Sequence, residues 1–316
     1  MKERKMVATR DAYGKALLEL GKENHDIVVL DADLSVSTKT AVFAKAFPER
    51  FFNLGVAEQD MIGTAAGLAA CGKIVFASTF AVFGSGRAWD QVRMSVAYTR
   101  LNVKIVVTHA GITTGEDGAS HQANEDIAIM RVLPNLTVVV PADAVETEKL
   151  IKAAAEFYGP MYIRLSRPKT RLVYENDNYD FKIGKGIVMH SGKDATVFAC
   201  GIMVGIALDA ADILAAEGIQ ARIVNLHTIK PLDKELIVKC AQETGAVVSA
   251  EEHSIIGGLG GAVAEVLVEN AQVPMVRVGL KDIFGESGKP EELLVKYGLT
   301  AQNVADAVRA VLKRKK

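Results

Sequence analysis

Cysteine is scarce in this chain. Cys71, Cys200 and Cys240 are the only three, far apart in sequence. No two make a CxxC pair, so a metal or dithiol site on that spacing is excluded, and they form no disulfide framework. They read as small buried hydrophobes. Charge of one sign is missing too: 37 Lys and Arg stand against 38 Asp and Glu. That balance leaves no electrostatic footprint for nucleic acid or an acidic membrane surface. No uninterrupted apolar run nears the roughly 20 residues of a membrane span. The opening Met1-Lys2-Glu3-Arg4-Lys5 is charged and lacks a following apolar region, unlike a signal peptide. A cytoplasmic protein is expected. P-loops, internal repeats and low-complexity tracts are also absent.

What is present is an apolar chain of alternating elements. Hydrophobic residues are 49% of 316, enough for two globular domains. Thr9 starts a helix with Ala12, Ala16, Leu17 and Leu20 on one face and Gly21 at its end. Further helices are expected at 39–47, stopped by Pro48, and at 58–70, 85–97 and 144–157. Strands are expected at 27–30, 74–77, 103–107, 137–140 and 161–165. A polar stretch from Pro168 to Asp180 follows. A second series then places strands at 196–199, 222–225, 246–250 and 275–278, and helices at 203–217, 233–244, 261–270 and 303–313. The pattern predicts an α/β fold with two doubly wound, mainly parallel-sheet domains, at 1–170 and 190–316, joined by a linker at 171–189.

The most informative stretch is Thr108-His109-Ala110-Gly111-Ile112-Thr113-Thr114-Gly115-Glu116-Asp117-Gly118-Ala119-Ser120-His121-Gln122. It follows an expected strand, and loops at the carboxyl ends of strands in open α/β sheets are where ligands bind. Two histidines beside acids suit a hydroxylated, phosphorylated substrate. The residues alone leave open a solvated loop with incidental polar groups. Glu58, in Gly55-Val56-Ala57-Glu58-Gln59-Asp60-Met61, begins a helix of Ala, Gly, Ile and Leu. It either favours the helix dipole or sits buried, where a carboxylate can hold a hydrogen bond to a ring nitrogen. Phe80 and Phe83, in Ser78-Thr79-Phe80-Ala81-Val82-Phe83-Gly84-Ser85, either face a planar ring or fill core. Gly257-Gly258-Leu259-Gly260-Gly261 is not a full GxGxxG, since Val263 takes the last place, and it reads as a tight turn. Glu251-Glu252-His253 is either catalytic or an interface or turn element, and the lack of other convergent polar groups in this unit favours the latter.

Together these pieces resemble the transketolase family, in the C-terminal half of an enzyme split between two polypeptides. The resemblance spans nearly the whole chain: a pyrimidine-binding domain, then the family's C-terminal domain. It rests on the order and spacing of GVAEQDM, STFAVF, GEDGASHQ, LPN with VVVPAD at Pro134 to Asp143, and HTIKPLD from His227. Two residues depart from full-length transketolases: Ala57 stands where Arg is usual, and Gly86 where Tyr is frequent. GVAEQ is also similar to deoxyxylulose-phosphate synthases, and EQ to 2-oxo-acid dehydrogenase β-subunits. GEDGASHQ favours transketolase over both.

The resemblance implies transfer of a two-carbon ketol group from a ketose phosphate donor to an aldose phosphate, as in the pentose phosphate pathway, through thiamine diphosphate and Mg2+. Glu58 would meet N1′ of the aminopyrimidine and assist its imino tautomer. Phe83 would stack on the ring, Phe80 would line the same pocket, and Asp33 would lie near the cofactor. His121 would bind the reacting hydroxyl and carbonyl groups, and Asp117 a hydroxyl stereocentre. His109, Arg167, Arg10 and Ser37 would hold the substrate phosphate, a task that suits the bidentate guanidinium. No GDG followed by a distant Asn occurs, so the Mg2+ and diphosphate ligands would come from an N-terminal partner subunit. Two copies of this chain would pair within a heterotetramer.

Overall fold

The computed structural model describes residues 5–175 and 178–315. The strands of the first half are β1 (Met6–Ala8), β2 (Ile27–Asp31), β3 (Phe51–Asn53), β4 (Ile74–Phe80), β5 (Val103–Thr108), β6 (Thr137–Val139), β7 (Met161–Arg164) and β8 (Lys169–Arg171). Those of the second half are β9 (Ile187–His190), β10 (Ala195–Ala199), β11 (Ala221–Asn225), β12 (Thr228–Lys230), β13 (Val247–Ser254) and β14 (Met275–Leu280).

The larger sheet has the order β12-β6-β7-β5-β4-β2-β3, and all its pairings are parallel except β12 against β6. Strands of a parallel sheet are covered by helices on both faces and so read as continuous apolar runs. β2 (IVVLD) and β5 (VKIVVT) do so, with every residue buried. Lys104 is the exception inside β5. Its Nζ donates to Asn102 Oδ1 and to the carbonyls of Phe157 and Gly159, each at 2.6 Å, which matches three donors to three acceptors. On one face the helix Thr9–Glu23 packs Ala16, Leu17 and Leu20 with Phe43 and Phe76. On the other the helix Glu58–Ala70 lays Met61, Ile62, Ala65 and Ala69 against the sheet. Each fully buried large side chain contributes about 1.5–3 kcal/mol.

The second sheet, β14-β13-β10-β11-β9, is parallel apart from edge strand β9. The halves are stitched together. β12 leaves the second half of the chain and extends the first sheet beside β6; within the first half, β1 pairs with β8. His227, ahead of β12, is buried against Phe181 with ring centroids 4.6 Å apart, so HTIKPLD forms this crossing.

Several expectations are corrected. The helix expected at 85–97 is π-helical over Phe83–Arg87 and Val92–Ala97, around a short α-turn Trp89–Gln91. Gly84 lies so close to β5 that a Cβ there would fall 2.8 Å from Val107 Cγ1, and the local winding accommodates that approach. The helix expected at 39–47 is two short pieces, Ser35–Thr38 and Ala41–Ala46, broken where Lys39 takes a φ of 74°. Cys200 and Cys240 are buried, but Cys71 is exposed, because it follows the last turn of its helix.

Candidate active site

The polar residues gather at the carboxyl ends of β2, β4, β5 and β7. β2 is flanked by β3 on one side and β4 on the other, so the chain reverses direction across the sheet there. Such a switch point opens a crevice above the strand ends.

Glu58 enters this crevice from the loop after β3. Gly55, at a φ of 73°, turns the chain, and Glu58 begins its helix with no side-chain cap before it. The carboxylate is 1% exposed. Oε2 accepts from Arg87 Nη1 at 2.8 Å, whereas Oε1 is buried with no hydrogen-bond partner among the described residues. A buried acceptor left empty costs about 1–3 kcal/mol. The π-turn after β4 sets Arg87 four residues beyond Phe83, and its guanidinium lies 4.5 Å from the Phe83 ring centroid. Carboxylate, guanidinium and aromatic face thus form one cradle.

The aromatic surface continues to both histidines. Phe83 and Phe80 are near-parallel with centroids 6.2 Å apart, and Phe80 stacks on His109 at 3.8 Å. His121 presents an edge to Phe83 at 5.3 Å and to Phe80 at 6.3 Å. His121 Nδ1 pairs with Ser120 Oγ at 2.9 Å, which leaves Nε2 for a ligand. His109 is buried, with Nδ1 on Thr108 Oγ1 at 2.8 Å. Its φ of 58° is left-handed, a strain of about 1–3 kcal/mol that recurs at functional sites. Burial, reinforced by the charges of Arg10 and Arg167, pushes its pKa down to about 3, so this imidazole is neutral.

Beyond His109 lies an open pocket of about 450 Å3. Arg10, Lys39, Arg167, Lys169 and Lys289 line it against Asp11, Glu116 and Glu291. Arg10 Nη1 donates to the Ser37 carbonyl at 3.0 Å, and its Nε is buried without a partner among the described residues. Burial lowers the Arg10 pKa. Arg167 Nη1 donates to the Thr114 carbonyl at 2.9 Å and to Glu116 Oε2 at 2.8 Å. The excess of cations suits an anion. Asp117 closes the 3-10 turn Ile112–Asp117 and is exposed. Asp33 follows the end of β2; its Oδ1 accepts from Asn53 Nδ2 at 3.0 Å, and its φ is 64°.

The structure therefore brings together Glu58, Phe80, Phe83, His109 and His121, and sets Arg10 and Arg167 at the adjoining basic pocket; Ser37 does not line that pocket and meets it only through its carbonyl on Arg10. Sequence reasoning missed Arg87, Lys39 and Lys289. Only the closeness of Arg87 to Phe83 in Phe83-Gly84-Ser85-Gly86-Arg87 could have pointed to the first. Glu251 is structural. It accepts from the amides of Leu259 and Gly260 at 2.7 and 2.8 Å, filling the helix N-terminus that the glycine run opens. Among the described residues no group of three or more His, Cys, Asp or Glu could hold a metal ion.

Compared with known proteins, residues 5–173 match the transketolase pyrimidine-binding domain and residues 184–304 the transketolase C-terminal domain. The chain belongs to the transketolase family. A Methanocaldococcus jannaschii relative, provisionally named a transketolase C-terminal section, is 55% identical over 96% of each chain. The 6-deoxy-6-sulfo-D-fructose transketolase subunit SqwH of a Clostridium species is 47% identical, over 97% of this chain and 95% of its own. A solved split-gene transketolase, described as an inactive β4 tetramer, superposes with a TM-score of 0.92 at 59% identity, over 98% of this chain and 100% of that one. The transketolase fold accounts for both parallel sheets, and membership of the family implies thiamine diphosphate.

Proposed function

We propose that this chain is the C-terminal subunit of a split transketolase, moving a two-carbon ketol group from a ketose phosphate to an aldose phosphate. One observation carries the reading: the buried, unpartnered Oε1 of Glu58, whose other oxygen holds the Arg87 guanidinium that lies over Phe83. That cradle fits a flat heterocycle with one ring nitrogen to satisfy, as in the aminopyrimidine of thiamine diphosphate. When bound, the cofactor supplies the electron sink for breaking and remaking a carbon–carbon bond.

The chain's own residues do the rest. Glu58 holds a proton at the ring nitrogen, and Arg87 fixes the other carboxylate oxygen so that Oε1 keeps its aim. Phe83 and Phe80 give an apolar wall that excludes water from the reacting atoms. His121 hydrogen-bonds the hydroxyl and carbonyl of the donor and shuttles the proton between them. Neutral His109 donates or accepts without bringing a charge, while Arg10 and Arg167, with the Ser37 segment, hold the phosphate in the basic pocket. Asp117 reads a hydroxyl of the sugar. Magnesium and the diphosphate would be held by an N-terminal partner subunit, a reading supported by the relatives named as a transketolase C-terminal section and a split-gene transketolase. A heterotetramer around a two-fold axis gives two sites at chain boundaries. The β4 relative described as inactive supports the need for a partner.

The test is reconstitution with the candidate N-terminal chain, thiamine diphosphate and Mg2+. Xylulose 5-phosphate with ribose 5-phosphate should give transfer, and pyruvate should not. Turnover of pyruvate alone would replace this reading with that of another thiamine-dependent carboligase.

A further inference from the structure

The second half of the chain reaches the first at Glu252, on β13. Its Oε1 accepts from the Thr113 amide at 2.7 Å, fully inside the protein. The turn is moulded to that carboxylate. Gly111 has a φ of 74°, and a Cβ there would lie 2.3 Å from Glu252 Oε1, so only glycine fits. From Thr113 the contacts run straight into the site. Thr114 Oγ1 donates to the His109 carbonyl at 2.7 Å, and the Thr114 carbonyl accepts from Arg167 Nη1 at 2.9 Å. Glu252 stands on a rigid base. Its own carbonyl accepts from Arg164 Nη2 at 3.0 Å, and Arg164 Nε is bound to Asp126 Oδ2 at 2.8 Å.

We propose that Glu252 is a positioning residue for substrate binding. Through the Thr113 amide it fixes the turn that places Arg167 and His109, so the C-terminal domain sets the shape of the phosphate pocket. This rests on the reading of that pocket given above. Its chemistry asks only for an acceptor at Oε1, not for a charge. Glutamine should therefore serve, and an apolar side chain of equal length should not.

The complex with the partner chain is measured as parent, Glu252→Met and Glu252→Gln, with Glu252→Ala read alongside should the Met variant not fold. Kinetics use xylulose 5-phosphate against an unphosphorylated ketose, and hydrogen exchange follows the amides of residues 111–117. In Glu252→Met, KM for the phosphorylated donor should rise about tenfold with kcat little changed, the signature of lost uniform binding. The unphosphorylated donor should be barely affected. Thr113 should exchange at least tenfold faster, and Glu252→Gln should restore both. A Met variant with parental KM and Thr113 exchange would overturn the proposal, as would a Gln variant as impaired as Met. If the parent transfers no ketol group, the functional reading falls, yet exchange at Thr113 still decides on the brace: equal rates in all variants overturn it.

Discussion

Glu58 offers the sharpest test, because stability and activity should part company there. In Glu58→Ala the protein loses one buried methylene, worth about 0.8 kcal/mol. It also loses an ion pair to Arg87, whose side chain is 46% exposed, worth no more than about 1 kcal/mol. Against this it sheds an unsatisfied buried oxygen that costs about 1–3 kcal/mol. These terms nearly cancel, so the variant should unfold within a few degrees of the parent. Catalysis has no such offset. Proton transfer by a positioned group is worth about 10²–10⁴-fold, or roughly 2.7–5.4 kcal/mol at 1.36 kcal/mol per decade. The assay is ketol transfer by the reconstituted complex at saturating thiamine diphosphate and Mg2+, beside calorimetric unfolding. Near-normal transfer by a folded Glu58→Ala complex would refute the reasoning. So would a fall in Tm large enough to explain the lost activity by itself.

Other outcomes follow from the same geometry. His109→Ala and Arg167→Ala should raise KM for phosphorylated sugars about tenfold each or more while thiamine diphosphate binding, read by titration calorimetry, stays intact; loss of the cofactor with normal sugar binding would reverse the assignments. The isolated chain should show no turnover and no tight Mg2+-dependent binding of thiamine diphosphate, a point that sizing and calorimetry settle with and without the partner. The dependence of Tm on pH should carry two opposed trends. His109 and His227 are held by burial at about 3 and about 4, below 6.5, so they stay neutral in the fold and their contribution is lost as pH falls through those values. Glu146 and Glu252 are pushed by burial to about 7, above 4.5, so theirs is present below 4.5 and lost as pH rises to 7. Between pH 4.5 and 6.5 the two trends oppose each other. Asp31, Asp143 and Glu251, which burial also raises, add to the carboxylate trend, so Tm should not rise with pH in that window but should fall steeply below it; a steep climb from 4.5 to 6.5 would contradict the burial of the carboxylates.

What could be read in the sequence was whatever had a local signature. Glu58 stands at the head of a helix too small and apolar to bury a charge casually, and the two histidines sit in a glycine-punctuated loop behind a strand. Groups that act from a distance had no such mark. Glu252 lies 139 positions from the amide it binds, and Lys289 meets Arg10 and Lys39 only because the C-terminal domain folds back over the strand ends. β12 has three residues, too few for a period of two to declare itself, so the crossing that fuses the two halves was invisible. The π-turn kept the apolar spacing of an ordinary helix while changing where Arg87 points.

Part of the backbone strain and two of the unmade bonds fall at the same place. Six non-glycine residues are left-handed among those described, and three of them, Asp33, Lys39 and His109, follow the ends of β2 and β5 around the crevice. The buried Oε1 of Glu58 and Nε of Arg10 lie there too, empty of partners among the described residues. A fold optimised for stability alone would satisfy such groups or replace them, since each costs about 1–3 kcal/mol. Other unpartnered atoms, such as Asn225 Oδ1 and Ser249 Oγ, lie elsewhere, but Glu58 Oε1 and Arg10 Nε are the pair that the proposed function would fill with a ring nitrogen and an anion.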